Sequence, residues 1–156
     1  MSVTLNALDY SDSAESTSST FTCLKALSPA PVAIGRYYDA SGTTSPSSKA
    51  LTLSEAQAIH GAGFKIFTDY EESGGQGYAP CSYFTTAQGQ SDLANALGQA
   101  AAAQQPTQTT IFFAVDVQIT ASSDMTCVIA YFQSILNNMP LNDALIPDYW
   151  VGVYGH

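Results

Sequence analysis

Positive charge is scarce in this sequence. Lys25, Arg36, Lys49 and Lys65 are the only Lys and Arg residues among 156, against 13 acidic residues, and the formal net charge is −9. Proteins that bind nucleic acids contact the phosphates with clustered Lys and Arg side chains, and anionic membrane surfaces attract the same residues. We therefore expect neither nucleic acid nor an anionic membrane as a partner, and we favour a neutral or cationic one.

Long apolar runs and cofactor motifs are also missing. No stretch of 18 apolar residues occurs, so membrane insertion is not expected, and the first residues lack the basic and then apolar pattern of a signal peptide. The lysine-containing phosphate loop, the GxSxG turn and the HExxH motif are absent. His60 and His156 are not spaced as metal ligands. The sequence predicts no cofactor and no metal.

Cysteines and charged residues are few. Cys23, Cys81 and Cys127 allow at most one internal disulfide, and none has metal-ligand spacing, so they are packing thiols or include one incidental bridge. Charged residues make up 11% of the chain, against an ordinary share of about 25%. A surface of Ser, Thr, Gln, Asn and Ala suits an extracytoplasmic or secreted protein, which is the location we expect.

Apolar runs that end on polar residues are what the sequence does contain. Residues 109–116 (TTIFFAVD) form a nearly continuous apolar run that stops on Asp116. Such runs are typical of strands buried on both faces of a parallel sheet, whose carboxyl ends carry the chemistry of α/β folds. Four further runs end on Asp9, on Arg36 to Asp39, on Asp69, Tyr70 and Glu71, and on Tyr154 and His156. We predict five strands with polar tips at one rim.

Segments with helical periodicity separate these runs. They cover residues 13–27, a helix opened by a capping box at Thr52 and Glu55 and closed at Gly61 or Gly63, and residues 91–105 and 122–138. Strands that alternate with helices predict right-handed βαβ units and a parallel sheet. Two long loops, 41–48 and 72–88, each follow a strand and belong to the same rim. The length predicts a single domain over residues 1–156.

Five motifs in sequence carry a resemblance to a known family. They are AIGRYY at 33–38, KALTLSEAQ at 49–57, HGAGFKI at 60–66, FFAVD at 112–116 and VGVYG at 151–155. Together they resemble the glycoside-hydrolase-like barrel family, formerly a domain of unknown function and related to the family 25 lysozymes, which cleave peptidoglycan. The resemblance covers residues 9–155 and implies a (β/α)8 TIM-type barrel with a carbohydrate cleft at its C-terminal rim.

The number of strands bears on how much of a barrel is present. A closed (β/α)8 barrel takes about 250 residues, whereas we count about five βα units. We therefore predict the N-terminal two thirds of a barrel, incomplete in this chain, with self-association as one way to supply the remaining strands. The alternative is an open five-stranded parallel sheet of the flavodoxin-like kind, which strand order would distinguish.

Glycoside hydrolysis needs two carboxyl groups. The resemblance implies Asp116 as the principal catalytic carboxylate and Asp9 as a supporting acid on the first strand. Lysozyme relatives carry the proton-donating acid two residues after the first, where this chain has Gln118, and an amide cannot replace it. Glu71 is the predicted substitute, because neighbouring strands lie about 4.8 Å apart and a retaining pair is separated by about 5–5.5 Å.

Further rim residues are candidates for contacting sugar. The predicted substrate-binding residues are Arg36, Tyr38, Tyr70, Gln118 and Tyr154. Arg36 would meet an acidic substituent of the substrate, or would instead form a structural ion pair with Asp9 or Asp39. The tyrosines would stack on sugar rings or pack in the core. Because Asp69 and Tyr70 are consecutive in a strand, only one of them can point inward.

Two classes of function remain open. The first is a glycosidase of the lysozyme-like kind that acts on peptidoglycan or a related cell-wall polysaccharide. The alternative is a catalytically inactive glycan-binding barrel, in which Gln118 marks the loss of the proton donor. A second carboxyl group within about 10 Å of Asp116 would favour the hydrolase, since glycosidase pairs are no farther apart than this.

Overall fold

The computed structural model describes residues 6–39, 49–72 and 75–155. Five strands are present, namely β1 (Ala7–Asp9), β2 (Ala33–Tyr38), β3 (Lys65–Tyr70), β4 (Thr110–Val115) and β5 (Trp150–Gly155). The α-helices are α1 (Ser18–Ala26), α2 (Leu53–Gly61), α3 (Pro80–Tyr83), α4 (Thr86–Ala102) and α5 (Ser122–Asn138), and a 3-10 turn, Ser13–Glu15, precedes α1. The start of the first predicted strand, the loop 41–48 and His156 lie outside the described residues.

The five strands form one parallel sheet in the order β1-β2-β3-β4-β5. A doubly wound flavodoxin-like sheet places its first strand in the interior, in the order 2-1-3-4-5, so the observed order excludes that alternative. Right-handed crossovers that always advance in one direction put every helix on the same face of the sheet. The fold is therefore a five-stranded parallel open sheet of α/β type, consistent with an incomplete (β/α)8 barrel.

Helix boundaries follow local capping. The predicted helix at 122–138 is confirmed as α5. Helix α4 begins earlier than the predicted residue 91, because the hydroxyl of Thr85 accepts a hydrogen bond of 3.0 Å from the backbone N–H of Gln88. The segment 13–27 divides into the 3-10 turn and α1, which is capped by the side chain of Thr17. Part of the predicted loop 72–88 is therefore helical, as α3 and the first turn of α4.

Helix α2 is capped on one side only. The hydroxyl of Thr52 accepts from the backbone N–H of Glu55 at 3.3 Å, but the carboxylate of Glu55 turns to Arg36. The predicted capping box is thus half formed, because a buried guanidinium is a stronger partner for the carboxylate than a backbone amide. The helix ends at Gly61, and Gly63 follows with φ +88°, the left-handed conformation that glycine adopts most readily.

The outer face of the sheet packs against the helices. Alternate strand residues point this way, and Ile34, Ile111 and Phe113 are fully buried there. Their helical partners in the same core are Leu93, Ala96, Ala100, Tyr131 and Ile135. Because burying one large apolar side chain stabilises a fold by about 1.5–3 kcal/mol, this layer is the main source of stability.

The inner face has an aromatic floor. Phe67 and Phe112 meet there edge to face, with ring centroids 6.2 Å apart. Each ring lies over a glycine of a neighbouring strand: a Cβ on Gly35 would come within 2.4 Å of Cζ of Phe67, and one on Gly152 within 2.4 Å of Cδ1 of Phe112. The two glycines therefore make room for two rings in the concave side of the sheet.

One disulfide joins two helices. Cys81 of α3 is bonded to Cys127 of α5, and Cys23 is a free, exposed thiol. The sequence allowed one such bridge without specifying its partners. Within the described ranges, we find no helix with both the length and the apolar character needed to span a bilayer.

Candidate functional site

Polar residues of the inner face meet at the carboxyl ends of the strands. The register places Phe67 opposite Gly35 and Asp69 opposite Tyr37, and Tyr154 opposite Ala114. Since side chains alternate between the two faces of a strand, residues that share the parity of Phe67 and Phe112 face the same way as the aromatic floor. We define the rim cluster as Asp9, Tyr37, Lys49, Asp69, Glu71, Asp116 and Tyr154.

Asp69 is the most unusual member of the rim cluster. The residue is only 3% exposed, and within the described part of the chain neither carboxylate oxygen has a hydrogen-bond partner. Burial raises the pKa of Asp69 to about 7, and the charges of Glu71 and Asp9 add to this while Lys49 opposes it. A buried carboxylate without partners is costly when ionised. Asp69 therefore retains a proton far more readily than an ordinary aspartate does.

Asp9 and Tyr37 are joined across the first two strands. The phenol of Tyr37 donates a hydrogen bond to Oδ2 of Asp9, and the same ring lies beneath Lys49, whose Nζ is 4.7 Å from the ring centroid. Burial, followed by the hydrogen bond to Asp9, raises the pKa of Tyr37 above its ordinary value. Tyr37 therefore stays protonated and acts as a fixed donor that holds the Asp9 carboxylate at the rim.

Glu71 directly follows β3, with the strand parity of the inner face, and it has a partner. Its Oε1 is 3.2 Å from Nζ of Lys49, and the two side chains are 20% and 26% exposed. The carboxylate is thus engaged in an ion pair, whereas a catalytic acid must begin its cycle protonated. Asp69, two residues earlier on the same face, fits the role of proton donor better than Glu71 does.

Asp116 follows the last residue of β4 and is half-buried. Its Oδ2 accepts a hydrogen bond of 3.3 Å from Nε2 of Gln76, which belongs to the loop after β3. Gln118 is exposed, in the segment that leads into α5. The structure thus keeps Asp116 at the predicted strand end and places Gln118 at the surface near it.

Tyr154 lies within electrostatic range of several carboxylates of the rim cluster. The negative charge of Asp9, more than any other cause, raises the pKa of its phenol, followed by burial and by the charges of Asp69, Glu71 and Asp116. The pKa of this exposed phenol on β5 is therefore affected by carboxylates at the ends of β1, β3 and β4. The predicted position of Tyr154 at the rim agrees with this arrangement.

Arg36 does not reach the rim. It is fully buried on the outer face, where its Nε and Nη2 donate to Glu55 at 2.6 Å and 3.2 Å and its Nη1 donates to the carbonyl of Tyr10 at 2.5 Å. Its assignment to substrate binding is corrected to a structural ion pair. The partner is Glu55 of α2 rather than Asp9 or Asp39, because Arg36 has the strand parity that faces the helices.

Tyr38 and Tyr70 are also corrected, from sugar contacts to core residues. Both are buried on the helix side, 0% and 2% exposed. The phenol of Tyr38 donates to Oε1 of Gln105 at 2.8 Å, and that of Tyr70 accepts from Nδ2 of Asn95 at 3.3 Å. Asn95 in α4 and Gln105 in the segment after α4 thus satisfy both hydroxyl groups within the core.

The sequence did contain a signal for the correct orientation. Asp69 and Tyr70 were recognised as facing opposite sides, but the parity was left open. Gly35 was the signal for the inward-facing residues, because a glycine within an apolar strand often marks a close approach by a neighbour. Here that neighbour is Phe67. The observed roles of Tyr37 and Lys49 were not predicted, because they depend on cross-strand contacts. Among the described residues, no cluster of three or more His, Cys, Asp or Glu is arranged to hold a metal ion.

The strand order and the rim cluster define a class of protein: a parallel α/β fold of barrel type with carboxylates at the carboxyl ends of its strands. The sequence profile of the Rv2525c-like, glycoside hydrolase-like domain matches residues 25–156. The chain therefore belongs to the Rv2525c-like glycoside hydrolase-like domain family. The resemblance inferred from the five motifs is confirmed.

Known proteins share the fold at low sequence identity. The Tat-secreted protein Rv2525c of Mycobacterium tuberculosis, solved in complex with HEPES, superimposes with a TM-score of 0.63 at 21% identity, covering 86% of this chain and 62% of that one. An uncharacterized B. stearothermophilus protein gives a TM-score of 0.55 at 22% identity, covering 89% and 55%. The uncharacterized protein YbfG of Bacillus subtilis (strain 168) is 36% identical over 103 residues, which are 65% of this chain and 14% of YbfG. The chain thus spans only part of each relative.

Proposed function

We propose that the rim cluster hydrolyses glycosidic bonds, with Asp69 as the proton donor and Asp116 as the nucleophile or base. The observation that carries this proposal is the buried, unpartnered carboxyl group of Asp69 on the same inner rim as Asp9 and Asp116. Glycosidases need one protonated and one ionised carboxyl group at neutral pH, and different surroundings are what separate two such acids. The raised pKa of Asp69 is consistent with the first role.

Each carboxyl group has a defined part in the reaction. Asp69 gives its proton to the glycosidic oxygen as the bond from that oxygen to the anomeric carbon breaks, and the leaving sugar departs as an alcohol. Asp116 attacks the anomeric carbon or removes a proton from the water that attacks it. Asp9, held by Tyr37, supplies negative charge next to the positive charge that develops on the sugar ring. Gln118 is then not required as an acid.

We propose a cell-envelope polysaccharide such as peptidoglycan as the substrate class, met outside the cytoplasm. The disulfide between Cys81 and Cys127 suits an oxidising compartment, and the structurally similar Rv2525c is described as Tat-secreted. The open, concave side of the sheet offers the aromatic floor and Tyr154 to a sugar ring. The second candidate function is glycan binding without catalysis, because Gln118 stands where lysozyme relatives carry the proton-donating acid.

The release of reducing ends from peptidoglycan and from chitin oligosaccharides tests the proposal. Asp69→Asn and Asp116→Asn should each lower the rate by at least about 100-fold, the contribution typical of general acid–base catalysis, whereas Asp143→Asn, which removes an exposed acid before β5, should not. The anomeric configuration of the first product would tell a retaining from an inverting arrangement. Turnover that is unaffected by either rim variant would refute the assignment, and binding without turnover in the wild type would favour the inactive barrel.

A further inference from the structure

The location of every Lys and Arg residue limits what the rim cluster can bind. The chain has four such residues. Arg36 is buried on the outer face with Glu55. Lys65 is the first residue of β3, and Lys25 lies over Phe64 immediately before that strand, so both are at the opposite end of the sheet. Only Lys49 belongs to the rim cluster, where it is paired with Glu71.

The carboxylates at the rim outnumber this one cation. Asp9, Asp69, Glu71 and Asp116 lie at the carboxyl ends of β1, β3 and β4, and all four act electrostatically on the phenol of Tyr154. With Lys49 as its only lysine or arginine, the rim cluster is negative whether or not Asp69 holds its proton. A carboxylate or phosphate on a substrate would be repelled there, and a positive group would be attracted.

We propose that the rim cluster recognises glycans whose sugars carry free ammonium groups, such as glucosamine oligomers, in preference to N-acetylated or acidic sugars. The proposal rests on the glycan-binding part of the proposed function alone and names a ligand class for it: de-N-acetylated stretches of a cell-envelope polysaccharide, which would leave Asp69 ionised and would therefore be bound without being cleaved by it. The buried carboxyl group of Asp69 is an acceptor without a donor among the residues that the structure describes, and an ammonium group on the ligand would supply that donor. Tyr37 cannot be that donor, because its hydroxyl group already donates its hydrogen bond to Asp9.

Binding of a cation should displace the proton of Asp69. Near the pKa of about 7, this carboxyl group is partly protonated, and it is faced by Tyr37 and Asp9, by Lys49 and Glu71, and by Tyr154 on β5. An ammonium ligand adds a positive charge to this set and favours the ionised form. Binding of glucosamine oligomers should therefore release protons, and binding of N-acetylglucosamine oligomers should not.

Calorimetric titration of the protein with a glucosamine tetramer and with an N-acetylglucosamine tetramer, at low salt and about pH 6, tests this. We expect the glucosamine tetramer to bind at least about tenfold more tightly, and we expect this preference to shrink with added salt. We also expect its binding enthalpy to vary with the ionisation enthalpy of the buffer, which measures the protons released. Asp69→Asn should remove the proton release and most of the preference, and Asp143→Asn, the same substitution at an exposed acid before β5, should change neither.

The outcomes separate the two proposals. Equal or tighter binding of the N-acetylated tetramer, or no binding of either tetramer, would overturn the ammonium preference. Saturation of the site by Ca²⁺ alone, lost in Asp69→Asn and without amino-sugar binding, would also overturn it. Hydrolysis of N-acetylated chains that depends on Asp69 and Asp116 would leave the proposed function intact while this inference fails. A clear ammonium preference without release of reducing ends would support this inference and contradict the proposed hydrolysis.

Discussion

Asp69 of β3 is the register partner of Tyr37 of β2, and both side chains project into the concave side of the sheet. A phenol next to a carboxylate would ordinarily donate a hydrogen bond to it. Tyr37 instead donates to Asp9 on the other side, and both oxygens of Asp69 lack a partner among the described residues. The contact that anchors one acid is thus unavailable to its neighbour, and burial raises the pKa of that neighbour, Asp69, to about 7.

The first prediction concerns stability and pH. Because the pKa of Asp69 is raised to about 7 in the folded protein, from 3.8, the folded state binds a proton more tightly than the unfolded state does. The contribution of Asp69 is thus fully favourable below about pH 4 and is lost as the pH rises through about 7. Asp69→Asn should raise the free energy of unfolding by about 1–3 kcal/mol at about pH 8 and change it little at about pH 4.

Urea denaturation at the two pH values measures this difference. The matched control is Asp143→Asn, an exposed acid in the turn before β5, which should behave alike at both pH values. If Asp69→Asn shifted the stability equally at both, the carboxyl group would not be the source of the pH dependence.

The second prediction concerns the buried ion pair of Arg36 and Glu55. Glu55→Gln should destabilise the protein by about 3–5 kcal/mol, because the guanidinium loses its charged partner in a fully buried position. The double variant Arg36→Met with Glu55→Leu should cost less than the single change, since no uncompensated charge remains. Chemical denaturation of the two variants and the wild type checks this. A double variant that is less stable than Glu55→Gln would contradict this prediction. It would show that the ion pair stabilises the fold more than the apolar Met and Leu side chains do.

The third prediction concerns the aromatic floor. Gly35→Ala would bring a Cβ within 2.4 Å of the ring of Phe67, and such overpacking costs about 1–3 kcal/mol. Gly98→Ala is the control, because nothing lies within 4 Å of that position in α4 and alanine is favoured over glycine in a helix by up to about 1 kcal/mol. Thermal unfolding should show a lower midpoint for the first variant and an unchanged or higher one for the second.

A second-site change separates steric clash from other causes. Phe67→Leu shortens the side chain that Gly35→Ala would meet, so the two changes together should be less harmful than the sum of their separate effects. Strict additivity would mean that Gly35 is needed for a reason other than the ring.

The elements of the fold could be predicted from the sequence where local signals were strong. Helix α5 was located correctly because its apolar stripe is regular and Pro140 follows it. The start of α4 was placed too late, since Thr85 gives a weak cap signal within a Gly-rich region. The barrel was predicted from the family resemblance, with the flavodoxin-like sheet as the alternative, because local patterns do not encode which strands pair.

The candidate site was predictable at the level of strand ends and not at the level of side chains. Asp9, Asp116 and Tyr154 lie at the rim because they follow or end strands whose extent could be read from apolar runs. Arg36 and Tyr70 were misplaced because a strand buried on both faces has no polar and apolar alternation to reveal which side is which. Only the register with neighbouring strands fixes that parity, and it depends on contacts distant in sequence.

The last prediction concerns the pH dependence of hydrolysis. A general acid must be protonated to act, so kcat should fall as the pH rises through about 7, the pKa of Asp69. A variant that alters this value without removing the acid makes the test specific. Lys49 lowers the pKa of Asp69, and Lys49→Met would remove that effect and shift the alkaline limb of the profile to higher pH. Lys65→Met, at the opposite end of β3, should leave the limb in place. An alkaline limb that does not move in Lys49→Met would assign the titrating group to a residue other than Asp69.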